Sequence, residues 1–151
     1  MLNSISAIVQ AASQGTARQI IAVAAAHDAD VLTAVKEARR AGIADAVLVG
    51  HGEEIRRILA ALGEDETAYT IVEAQTDPEC AEKAVEQVRL GKANFLMKGL
   101  LGTADLMRAV IHKENGLRTG RLISHVMLYE PQGHKMLALT DGGMNTFPDL
   151  E

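Results

Sequence analysis

A chain of 151 residues with a net charge of −5 and 48% hydrophobic residues has the length of one domain and enough apolar content for a core of its own. No basic run supplies the electrostatic footprint of a nucleic-acid binder, and no apolar run approaches the roughly 20 residues that cross a bilayer. Aromatic residues are only 3%, without Trp, so the core must be aliphatic. The single cysteine, Cys80, excludes an internal disulfide framework and fits a reducing cytoplasm.

The amino-terminal stretch has no positive n-region and no small-residue cleavage site, and reads as a helix rather than a signal peptide. Asn3 or Ser4 caps it; Ile5, Ile8, Val9 and Ala12 fall at helical spacing; Gly15 stops it. Residues 19–26, QIIAVAAA, form a continuous apolar run, the pattern of a strand covered on both faces in a parallel sheet. Asp30 then caps a helix that turns Val31, Val35 and Ala38 inward and ends at Gly42.

The second strand is 46–49, followed by the turn Gly50-His51-Gly52 and a helix with Ile55, Ile58, Leu59 and Leu62 on one face. Residues 69–72 make a third, shorter strand. Asp77-Pro78 opens the next helix, with Asp as cap and Pro at the first helical position; Ala81, Ala84, Val85 and Val88 face inward. A fourth strand, 94–97, runs into Lys98-Gly99, and Thr103 caps a helix bearing Leu106, Met107, Val110 and Ile111. One helix followed by four strand–helix units predicts an α/β fold of three layers around a mainly parallel sheet.

After His112 the texture changes. Residues 113–121 are polar, and two strand-like runs, 122–129 and 135–140, flank Pro131-Gln132-Gly133-His134, a link suited to antiparallel strands. The expected division is an α/β domain over 1–121 and the start of a second, incomplete domain over 122–151. Thr146-Phe147-Pro148-Asp149 reads as a helix start with only Leu150-Glu151 to continue it. A helix that short does not sustain itself, so the expectation is the front part of a longer polypeptide. The alternative is a natural terminus that frays.

Residues 93–110, ANFLMKGLLGTADLMRAV, hold the first candidate site. A lysine and glycines between a strand's carboxyl end and a helix's amino end favour an anion: the backbone approaches closely at glycine, and free N–H groups and the helix dipole attract negative charge. The same pattern also describes an ordinary turn with Lys98 in water. His27-Asp28 ends the first long strand, where ligands of open α/β sheets collect. The pair binds ligand or shuttles a proton, or Asp28 is a local cap. Neither glycine cluster matches G-x-G-x-x-G or the Walker pattern, which disfavours dinucleotide binding and nucleotide hydrolysis. Cys80 lies beside Glu79 and Glu82, which raise a thiol's pKa, so it is no nucleophile. The five histidines are scattered and metal-ligand spacing is absent.

Four segments together carry a family likeness: AVAAAHDADVLTAV (22–35), ANFLMKGLLGTADLMRAV (93–110), GLRTGRLISHVMLYE (116–130) and LALTDGGMNTFPDLE (137–151). From about residue 18 onward the chain resembles the phosphate acetyl/butyryl transferase family, nearer its butyryl-transferring members. The resemblance implies two α/β domains of the isocitrate-dehydrogenase-like type with substrates bound in the cleft between them. It implies transfer of a short acyl group, butyryl or acetyl, between coenzyme A and inorganic phosphate by direct transfer in a ternary complex. Coenzyme A is then a substrate, and no metal or bound cofactor is needed. The likeness covers only the first half of the family's length, and part of the family's site comes from the other half.

Such a reaction passes through a tetrahedral oxyanion between two polyanions, so donors and cations are the expected tools. Lys98, Gly99 and Thr103 become candidates for phosphate or the coenzyme A pyrophosphate. Arg108 is a candidate for a coenzyme A phosphate at the rim, since acetyl-specific relatives carry an arginine in the corresponding place; otherwise it is a solvated helix charge. Arg118 and Arg121, in the polar connection, either clamp an anion or are solvated. The resemblance favours Ser124 over His125 as the cleft-facing donor. Asp141 and Asn145, around Gly142-Gly143, present a carboxylate and an amide from a loop, or simply build a turn. A homo-oligomer is expected, because apolar strands in 122–151 would lack a partner domain. The competing reading is a non-catalytic α/β fragment retaining at most coenzyme A or anion binding. A dehydrogenase of the same broad fold lacks its nicotinamide fingerprint.

Overall fold

The computed structural model describes residues 3–15 and 17–143. Strand β1 (Gln19–Ala24) sits inside a four-stranded, wholly parallel sheet with β2 (Ala44–Gly50), β3 (Thr70–Glu73) and β4 (Phe95–Lys98), in the order β3-β2-β1-β4. The continuous apolar run of β1 is explained by cover on both faces. Ile21, Val23 and Ala26 enter one core, and Ala22, Ala24 and Ala25 the other. Helices α2 (Ala29–Arg40) and α3 (Gly52–Ala61) close the first core with Leu32, Val35, Ile55, Ile58 and Leu59. Helices α4 (Asp77–Arg89) and α5 (Thr103–Val110) close the second with Cys80, Ala81, Ala84, Val85, Leu106 and Ala109. Three layers result, with branched aliphatics filling one interface and mostly alanine the other.

The chain lays strands outward from β1 through β2 to β3, then returns by way of α4 to place β4 on the far side of β1. The direction of winding reverses between β1 and β4, and the crevice beyond the carboxyl ends of such a strand pair is where open α/β sheets hold ligands.

Helix starts differ from expectation by one or two residues, because the cap is the last residue with extended backbone and not the first suitable side chain. Asp28, not Asp30, caps α2, its carboxylate accepting from the Asp30 and Val31 amides at 3.0 Å. Thr76, not Asp77, caps α4, and Pro78 falls in its first turn. Gly102, not Thr103, is the cap of α5. Strand β1 stops at Ala24 rather than at residue 26, because Ala25 turns into the left-handed region at φ 56°.

By compactness the chain divides into Gly15–Arg118 and a second unit of Met1–Gln14 with Thr119–Glu151. Helix α1 (Ile5–Ser13) thus groups with the carboxyl-terminal residues, whereas the expected division placed it in the α/β domain. In that unit β5 (Val126–Tyr129) pairs antiparallel with β6 (Leu137–Thr140), from Val126 opposite Thr140 to Tyr129 opposite Leu137. Both strands are shorter than the runs 122–129 and 135–140 suggested, and both are exposed along their whole length. The Glu130 carboxylate accepts from the Ile5 amide at the start of α1, whose cap is Ser4. The expected helix start over 146–149 lies outside the described residues.

Candidate functional site

At the winding reversal β4 hands over to α5 through a tight backbone path. The Gly99 amide donates to the Ala24 carbonyl at 2.8 Å, and the Leu100 amide to the Ala25 carbonyl at 2.9 Å. A β-carbon on Gly99 would strike the Ala25 carbonyl oxygen and come within 2.6 Å of the Ala24 oxygen, so position 99 is glycine for lack of space. The Lys98 ammonium folds over this turn, donating to the Leu101 carbonyl at 2.9 Å and the Gly99 carbonyl at 3.3 Å. An ammonium has three donors, so these contacts leave one for a ligand. Lys98 therefore shapes the turn and also charges it.

The four sheet-flanking helices begin differently. Asp28 closes α2 and Thr76 closes α4; the Glu73 carboxylate reaches from the end of β3 to accept from the Gly52 amide of α3 at 3.0 Å. Among the described residues, no side chain accepts a hydrogen bond from the first amides of α5, where Thr103 holds the first helical position; the Asp105 carboxylate lies beside Gly102, 3.3 Å from where a β-carbon there would sit. Its first-turn Asp105 is engaged by Arg108 at 2.6 Å. Open N–H groups and the positive end of the helix dipole therefore meet the lysine turn at the winding reversal.

His27 follows the end of β1 and lies against the end of β2. Its ring stacks on His51, and around His51 lies an acidic recess of about 610 Å³ walled by Glu53, Glu54, Glu73 and Gln75. Burial, and after it the neighbouring His51, hold the His27 imidazole below its ordinary 6.5, against the upward pull of Asp77, Glu54 and Asp28. Folded chain thus binds fewer protons than unfolded chain between the folded value and 6.5. Stability is expected to fall as the pH drops through that window, and the group adds no further loss below it. Thermal melts of wild type and His27→Gln should show this decline only in wild type. The carboxylates of Glu54, Glu64 and Glu79, held low by hydrogen bonds from Arg57, Tyr69 and Lys83 first of all, keep their stabilising contribution above their ordinary 4.5 and lose it only as the pH falls below that value.

Arg108 lies farther along α5, 70% exposed, on a groove of about 380 Å³ between α4 and α5 that Arg89, Glu86 and His112 also line. Arg118 and Arg121 are exposed, and neither makes a side-chain hydrogen bond or ion pair among the described residues. Cys80 is buried on the inner face of α4, and burial first of all pushes its thiol up, in keeping with a packing role. Among the described residues no cluster of three His, Cys, Asp or Glu side chains is placed to hold a metal ion, and no helix is long and apolar enough to cross a membrane.

Ser124 and Asp141 belong to the other compact unit. Ser124 lies just before β5 rather than within it, so strand alternation does not decide between it and His125. The Asp141 carboxylate accepts from the His125 amide at 3.1 Å, and the Asp141 amide donates to the His125 carbonyl at 2.8 Å. This exchange brings Ser124 and Asp141 to one end of the hairpin. Asn145 lies outside the described residues. His27, Lys98, Gly99 and Thr103 are thus gathered by one unit, and Ser124 and Asp141 by the other. Sequence reasoning gave His51 little weight; its only signal was the Gly50-His51-Gly52 turn at the equivalent end of β2.

A parallel α/β sheet with the lysine turn and the start of α5 at its winding reversal places the chain in the α/β class. The model of the phosphate acetyl/butaryl transferase family matches residues 4–87 and 79–151, and the chain belongs to that family. It is 46% identical over 132 residues to a phosphate butyryltransferase of Clostridium acetobutylicum, covering 87% of this chain and 44% of the relative. A phosphate acetyltransferase of Thermotoga maritima is 39% identical over 132 residues, with 87% and 45% covered. The crystal structure of a branched-chain phosphotransacylase from Enterococcus faecalis has the same fold, with a TM-score of 0.69 at 24% identity over 87% of this chain and 45% of that one. The chain therefore spans less than half the length of these relatives.

Proposed function

We propose that this chain supplies the α/β portion of a phosphate acyltransferase that moves a butyryl or acetyl group between coenzyme A and inorganic phosphate within a ternary complex. A phosphate oxygen attacks the thioester carbonyl carbon; the tetrahedral oxyanion collapses, the C–S bond breaks, and the thiolate leaves and takes up a proton. The open start of α5 beside the Lys98-Gly99 turn carries this reading, because a reaction of two polyanions needs cationic and N–H donor groups where they meet. His27, Lys98, Gly99 and Thr103 hold phosphate or the coenzyme A pyrophosphate. Arg108 serves a coenzyme A phosphate at the rim, with Arg118 and Arg121 as clamps. Ser124, Asp141 and Asn145 serve the reacting carbonyl and sulfur, and the exposed apolar hairpin supports a homo-oligomer.

The test is thioester formation from butyryl phosphate and coenzyme A by this 151-residue chain. Turnover that falls at least about tenfold in Ser124→Ala is the expected result, the usual scale for losing one transition-state donor being larger still. Absence of turnover, with coenzyme A still raising the melting temperature, favours a binding fragment instead.

A further inference from the structure

His27 and His51 are paired at the ends of β1 and β2. Their rings stack with centroids 4.2 Å apart and planes 10° from parallel. Two contacts decide where the ring protons sit. The Gln75 carbonyl can only accept, so the 3.1 Å contact makes His51 Nε2 a donor. The His51 backbone N–H can only donate, so at 3.5 Å it makes His27 Nδ1 the acceptor. Space is closed on the same side of the ring, since a β-carbon on Gly50 would lie 2.5 Å from His27 Nδ1. The one proton of an uncharged His27 is then left on Nε2, which no described residue engages.

We propose that His51 is a positioning residue for His27, holding its imidazole in the Nε2–H tautomer so that β1 ends in a hydrogen-bond donor. The inference rests on the reading of the β1 and β4 ends as an anion-binding edge. A donor in that place suits a phosphate or thioester oxygen. It does not suit deprotonation of a thiol, because the ring's lone pair is turned into the end of β2. The groups facing the ring are Asp28 from the start of α2, His51 from the end of β2, Glu54 from α3 and Asp77 from α4. The three carboxylates favour a second proton, and burial together with His51 opposes it.

Two substitutions at one position separate the ring of His51 from its amide. His51 has φ −68°, which proline adopts without strain, so His51→Pro removes the N–H and the ring, whereas His51→Ala removes the ring alone. Long-range proton–nitrogen NMR of the full chain labelled with nitrogen-15 histidine, without ligand, reads the His27 tautomer and its titration. Wild type and His51→Ala should both show Nε2–H, with the His27 titration moved upward in His51→Ala. His51→Pro should raise the Nδ1–H population several-fold. A wild-type His27 protonated on Nδ1, or a folded His51→Pro with the wild-type tautomer ratio, overturns the proposal. Should His51→Pro not fold, Nε2–H on His27 in both wild type and His51→Ala supports it, and Nδ1–H in either overturns it. Inorganic phosphate is added last. If the tautomer is as expected and phosphate leaves His27 Nε2 and the Lys98 and Gly99 amides unmoved, the anion-site reading fails while the role of His51 stands. If phosphate moves those amides but the tautomer is wrong, the reverse holds.

Discussion

Gly99→Ala is expected to lower the melting temperature by roughly 6–12 °C, the equivalent of about 3 kcal/mol in a chain of this size. Its β-carbon would meet the Ala25 and Ala24 carbonyl oxygens, which are backbone atoms at the end of β1 and just beyond it and cannot swing aside. Relief requires β4 to draw away from β1, which loses the 2.8 Å hydrogen bond from the Gly99 amide and opens the crevice where winding reverses. Gly91→Ala is the matched control. Nothing lies within 4 Å of a β-carbon there, and only its left-handed φ of 70° resists the change, at a cost of about 1 kcal/mol. Differential scanning calorimetry of the two variants separates close approach from backbone conformation. Equal losses would show that position 99 is not limited by space.

Leu48→Ala is expected to cost about 2–5 kcal/mol, and Ala84→Leu about 1–3 kcal/mol, for opposite reasons. Leu48 is fully buried on the face of the sheet packed by Leu32, Ile55 and Leu59, so truncation leaves a cavity among branched side chains that cannot all collapse into it. Ala84 is also fully buried, but on the face where α4 lies against Ala22, Ala24 and Ala25 with little side-chain depth between helix and strand. Added bulk there must push α4 outward, and Thr76 at its amino end moves with it. Urea unfolding of both variants measures the pair. A neutral Ala84→Leu would show spare volume on the alanine face.

How much of this could be read in advance divides along the range of the forces involved. The apolar run at 19–26 announced a strand covered on both faces, and the periodicities that follow it announced four strand–helix units. Both are visible because burial repeats every two or 3.6 residues along a single segment. The lysine–glycine turn was visible for the same reason, since its residue types are contiguous. Ser4 caps α1 as one of the two expected residues, but the caps of α2, α4 and α5 fall one or two residues earlier than expected, because several capping side chains crowd a start and only backbone conformation chooses among them.

What the residues determined alone, then, was the α/β class, the order of elements and the candidates Lys98, Gly99, Thr103 and His27. Tertiary structure decided which strands are neighbours, and with that where the winding reverses. It also decided which helix starts are closed, since Glu73 reaches the Gly52 amide from 21 positions away along the chain. His51 meets His27, 24 positions earlier, only because β2 lies beside β1. Interactions over such separations leave no local period, because they depend on strand order, and strand order is settled by the packing of the whole sheet.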